Sequence, residues 1–206
     1  MAFDEAVPLA ANQIAADLAA INANWEYIIK PHNIWIAAYE FTPTTTNGCA
    51  AIADVELATN DIQIQYLAFD PGTQEHATIS LVFPEGWDLG TIKAKFYWMP
   101  ATGCSEDDVV QWGISGVAVS NDDAIDATLG TAVTVTDAVT AGVEADLHVS
   151  AATAVITIGG TPALGDLIHI KVYRDADAAG DTMDAEDAWL LGVMLQLTVD
   201  QAVAAW

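Results

Sequence analysis

Positive charge is what this sequence lacks most. Its 206 residues hold 5 Lys plus Arg against 29 Asp plus Glu, a formal net charge of −24. Such a surface repels phosphate backbones and anionic headgroups, so neither nucleic acid nor a membrane is expected as a partner. It suits a protein working in salty water, where screening shortens the reach of self-repulsion. Cysteine is nearly as scarce. Cys49 and Cys104 are the only two and have no C-x-x-C partner, which argues against zinc and leaves two thiols as the expected reading. Long apolar runs are missing as well: no segment reaches the roughly 18–20 residues of a membrane helix. The opening MAFDEAVPLAAN is acidic where a secretory signal starts basic, so no such signal is expected.

The arrangements that carry catalysis are also absent. His32, His76, His148 and His169 fall in no HExxH, HxH or Cys–His spacing. In WGISG, Trp112–Gly116, the serine comes one place late for a nucleophile elbow. GGTPALG is a turn cluster with no following lysine, hence no phosphate loop. A glycosidase needs two carboxylates across a cleft, but 29 acids meet that condition by chance in many ways. The expectation is therefore a chain that is not an enzyme and has no cofactor and no resident metal.

What is present is apolar and ordered by period. Hydrophobic residues make up 53% of the chain, enough for a packed core. Ile14, Leu18, Ile21, Trp25 and Ile28 are spaced 4, 3, 4, 3, a heptad seam of about two repeats that ends at Pro31. Such a helix packs either on its own domain or on other copies of the chain. We expect the latter, because so short a helix is marginal alone. Those five residues are the expected oligomer interface.

From residue 33 the period becomes two. NIWIAAYEF, AIADVELA, DIQIQYLAF, ATISLVF, TIKAKFYWM, VVQWGISGVAVS, TAVTVTD, DLHVS, AVITI, LIHIKVYRD and WLLGVMLQLTV read as strands, the second and third as a hairpin. Turn chemistry separates them at Asp70-Pro71-Gly72, Pro84-Glu85-Gly86, Gly159-Gly160 and Gly165-Asp166. NDDAIDATLG could form one helical turn between Asn121 and Gly130. So many short antiparallel strands indicate a mainly β fold, a jelly-roll β-sandwich preceded by the short N-terminal heptad α-helix. The expected division is an arm and attachment helix over 1–31 and a jelly-roll β-domain over 32–206.

Two features invite a binding role. Trp87, Trp98, Trp112 and Trp189 could line a glycan groove, although aromatic residues inside strands more often fill a core. Counted from Asp175, RDADAAGDTMDAED reads D-x-D-x-x-G-x-x-x-x-x-E, the ligand spacing of a calcium loop. Strand patterns rather than helices flank it, and Ala179 and Met183 stand at ligand positions, so a surface loop between the last two strands is expected instead. The terminal Trp206 either docks on a neighbouring copy or ends a tail.

The blocks YLAFDPGTQEHATISLVFPEGW, GTIKAKFYWMPATG, WGISGVAVSNDDAID, ITIGGTPALGDLIHIKVYRD and LLGVMLQLT, from about Gln65 to Thr198, resemble a jelly-roll-like domain common in small structural proteins of tailed bacteriophages. The resemblance implies a homotrimeric virion component on the particle exterior, a capsid decoration or short head-fibre protein. Its partners would be its own copies and other virion proteins, the major capsid protein foremost. The alternative is a tail-fibre or spike module that holds a host glycan. The resemblance carries no catalytic motif, and no functional residue transfers from it.

Overall fold

A computed structural model describes residues 30–140 and 146–199. The heptad positions Ile14, Leu18, Ile21, Trp25 and Ile28, and Trp206, lie outside the described residues.

Eleven strands follow in order: β1 (Lys30–Ala37), β2 (Thr42–Pro43), β3 (Ala53–Leu57), β4 (Ile62–Phe69), β5 (Glu75–Val82), β6 (Lys93–Pro100), β7 (Val109–Val119), β8 (Val133–Ala138), β9 (His148–Val149), β10 (Leu167–Arg174) and β11 (Ala188–Val199). They form two antiparallel sheets, and the fold is mainly β, as expected. Sheet A runs β3-β4-β11-β6-β9 with β1 also on β11, and sheet B runs β2-β5-β10-β7-β8. Strands β4 to β7 alternate between the two sheets, β7 and β8 pair within sheet B, and β8 to β11 alternate back toward the middle. This is the order of a double Greek key, a jelly-roll-like sandwich. Strands β1 and β4 share one edge of β11: β4 takes Ala188–Leu190, and β1 takes Gly192–Val199.

The alternation visible in the sequence sets the core. From sheet A, Leu67, Phe69, Phe96, Trp98, Leu190, Val193 and Leu195 point inward; from sheet B, Trp112, Ile114, Ile168, Ile170 and Val172 meet them. Trp112 sits at the centre. Phe96 stacks on it at 5.3 Å and 9°, and Phe69 meets it edge-on at 5.3 Å. Such aromatic contacts across the two layers lock the sheets face to face.

Three sequence expectations are corrected. AVITI forms no strand of its own. Ile156 bridges singly to Ile92 and the following Gly159 to Val117, while Ile156 and Ile158 turn to the core. NDDAIDATLG makes turns and no helix: Asp122 has φ +70°, and the Asp123 carboxylate accepts the Ser120 N–H at 3.2 Å. Lys30 and Pro31 belong to β1, paired with Val199 and Thr198, so the strand begins inside the segment assigned to the arm. Pro31 is tolerated there because β1 pairs on one side only.

Candidate functional site

The outward faces of the two sheets differ in chemistry. On sheet A the outward positions are largely apolar. Trp35 of β1 is 50% exposed and leans across Gly192 to meet the Tyr97 ring edge-on at 5.0 Å. A Cβ on Gly192 would lie 2.5 Å from the Trp35 ring, so only glycine permits that approach. Tyr66 and Trp189 stack on each other at 4.1 Å. The β3–β4 hairpin carries Val55, Leu57, Ile62 and Ile64 on the same side, in the pairs Val55–Ile64 and Leu57–Ile62, while Asp54, Glu56, Gln63 and Gln65 point the other way. At the far end of the face the rungs turn polar: Asn33–Gln196–Lys93 and Trp35–Met194–Lys95. A cavity of about 240 Å³ opens there between Pro31, Thr91, Lys93, Val155, Gln196 and Thr198.

Sheet B presents hydroxyls, imidazoles and an ammonium outward: Thr78 and Ser80 from β5, His169 and Lys171 from β10. The chain from 125 to 129 folds over this face and leaves a groove of about 220 Å³. Its walls are Thr78, Asp126, His169 and Lys171, and its apolar lining is Val117, Ile125, Ala127, Leu129 and Ile170. His169 is held by Ser80, with Nδ1 and Oγ at 2.7 Å, and its buried Nε2 has no protein partner among the described residues. Glycines fix the strap that forms the outer wall. The Gly116 carbonyl accepts the N–H groups of both Gly130 and Gly159 at 2.9 Å, and a Cβ on Gly130 would lie 2.5 Å from the Thr157 carbonyl. Backbones approach this closely only without side chains.

Of the four tryptophans offered as sugar platforms, three are core. Trp87, Trp98 and Trp112 are at most 1% exposed: strand alternation turns Trp98 and Trp112 inward, and Trp87 packs edge-on against Phe83 from the turn after β5. Trp189 is half-buried, one face covered by Tyr66. Trp35 is exposed, as is Tyr39 just after β1, and the exposure of Trp35 was legible: with Ile34 and Ile36 turned inward, the residue between them must point out. The histidines do not converge. His32 is exposed, His76 bonds Asn47 and Gln74, and His148 is buried against Trp98. Ser115 of WGISG is buried inside β7, without an elbow. Burial, reinforced by the nearby Glu75 charge, pushes the Cys49 thiol up to about 12, which makes it unreactive.

The calcium-like loop has another occupant. Arg174 is fully buried, and every guanidinium donor has a partner: both Asp181 oxygens at 2.8 and 3.0 Å and the carbonyls of Phe69, Met183 and Glu186. Asp175 accepts from the side chains of Gln74 and Gln111, and Asp177 accepts the Gln74 N–H. The loop joins the last two strands, as expected, with Asp177, Thr182 and Asp184 exposed, and its inner side is wrapped about a protein cation. Asp181 and Met183 are 6% and 1% exposed.

No family model matches the chain, and no curated protein matches it. Among solved structures it is similar to a family 11 carbohydrate-binding module from Clostridium thermocellum in complex with a β-1,3-1,4-mixed-linked tetrasaccharide. That pair is 9% identical over 79% of this chain and 94% of that one, with a TM-score of 0.43. It is also similar to the Eiger TNF from S. frugiperda (9% identity, 86% and 96% coverage, TM-score 0.28). A third is the carbohydrate recognition domain of Emp46p in its potassium-bound form (7%, 82% and 100%, TM-score 0.30). At these scores nothing about the function of this chain follows from the likenesses.

Proposed function

We propose that this chain is a non-enzymatic recognition module on the exterior of a tailed-phage particle, assembled as a homotrimer and holding a glycan in the groove on sheet B. The groove carries the glycan part of the reading. A pyranose presents a hydroxyl on nearly every carbon and an apolar flank, and each hydroxyl that loses water needs a partner. Thr78, Asp126, His169 and Lys171 offer donors and acceptors around an apolar lining. The aromatic face of sheet A offers rings but few hydrogen-bonding groups beside them. Its rings are also turned to one another, Trp35 against Tyr97 and Tyr66 against Trp189. The virion part rests on the resemblance of the blocks from Gln65 to Thr198. The trimer has support in the heptad, whose 4, 3 spacing puts Leu18 and Trp25 at position a and isoleucines at d, a pattern that favours more than two strands.

The test is an array of immobilised bacterial surface glycans probed with the full chain. Binding to a defined glycan, weakened at least tenfold by His169→Ala and by Lys171→Ala, is the expected result. Binding that survives both changes and is lost in Trp35→Ala would move the site to sheet A. Retention by no glycan, with density on the capsid lattice of the intact particle, would favour a decoration protein that cements the shell.

A further inference from the structure

We infer that the outward face of sheet A is where copies of this chain meet, with Trp35 and the β3–β4 hairpin at the centre of the contact. The inference rests on the self-association in the reading above and names its surface. An antiparallel sheet with one free face alternates apolar inside and polar outside. Sheet B does so along Thr78, Ser80, His169 and Lys171, with Val82 an exposed apolar residue at the end of β5; sheet A does not. Trp35 and Ile62 point outward at 50% and 52% exposure, and Val149 on the neighbouring β9 is 39% exposed. The hairpin is the sharper anomaly. Only Leu67–Phe69 of β4 pairs with β11, so residues 53–66 project as a two-stranded ribbon. Such a ribbon is marginal without a layer against its apolar side.

Charge selects the occupant. A chain of net −24 can meet itself only where its acids are absent. The outward positions of β1, β3, β4, β6 and β11 hold no Asp or Glu, and β6 places Lys93 and Lys95 there, two of the five cations of the chain. That pair attracts the acidic surface of a second copy. Lys30 pairs with Val199, so the described stretch begins and ends at one end of sheet A.

Sedimentation equilibrium of the full chain at micromolar concentration tests the assignment. Trp35→Glu with Ile62→Glu changes two exposed side chains and should lower the average mass toward that of one copy while the near-UV spectrum is kept. Val82→Glu, at a 56% exposed position on sheet B, should leave the mass unchanged. A folded double variant with the wild-type mass would overturn the surface assignment, as would dissociation by Val82→Glu. A wild-type chain that sediments as one copy would overturn the self-association as well. Should the double variant fail to fold, Trp35→Gln alone carries the test and should weaken association at least tenfold.

Discussion

At the scale of single residues, Arg174 and the acids around it matter most. A buried guanidinium with all five donors occupied is held by its surroundings as much as it holds them, and removing one partner strands the other. Arg174→Met leaves Asp181 buried without its counter-ion and three carbonyls without donors, so it should cost about 3–5 kcal/mol in urea unfolding. Calcium in millimolar excess should leave the melting temperature of the wild type unchanged, because Arg174 already takes the Asp181 oxygens. The sequence displayed the acidic spacing of this loop but not its meaning. Spacing reports which oxygens are close along the chain; it does not report that the residue just before them folds in among them. Two nearby acids set a pH dependence. Burial raises Glu75 above its ordinary value, helped by the charges of Asp70 and Asp187, with the Asp70 N–H and Arg174 opposing. Burial likewise raises Asp187, helped by Asp70 and Glu186. The folded chain therefore binds protons that the unfolded chain has released, and stability falls as pH rises from the ordinary carboxylate range through the raised values. Glu75→Gln keeps an acceptor for the Asp70 N–H and should remove part of that fall. Thermal melts should coincide with wild type below about pH 4 and lie above it at neutral pH.

At the scale of elements, the strands were largely legible and the strap over sheet B was not. Alternation gave ten of the eleven runs read from the sequence, including the β3–β4 hairpin. It failed at 154–158, where an alternating pattern serves a chain that bridges only singly. It failed again at 121–130, where capping residues served turns. The second failure is the strap, whose Gly130 lies against Thr157 and Gly159, and the strap builds the groove, so the candidate site was less visible than the fold. Its residues come from β5, β7, β10 and the 125–129 segment, which no local pattern connects. The glycines were the available signal. Gly116, Gly130 and Gly159 recur in the distinctive blocks because three backbones cross there. Gly130→Ala should force the strap away from Thr157 and cost roughly 1–3 kcal/mol, measured by urea unfolding, and the same change should weaken glycan retention.

At the scale of the whole molecule, the sandwich divides its labour between its two outward faces. Sheet A, whose outward face is largely apolar and holds no Asp or Glu on β1, β3, β4, β6 and β11, is assigned to contact between copies. Sheet B, polar and grooved, is left for a ligand. The division follows from charge: acids keep the molecules apart everywhere except on a face from which they are excluded. The most direct measurement is the molar mass of the full chain by light scattering across a concentration series in moderate salt. A mass near three times the 21.7 kDa of one copy, persisting into the low micromolar range, is the predicted result. A mass of 21.7 kDa at every concentration would contradict it.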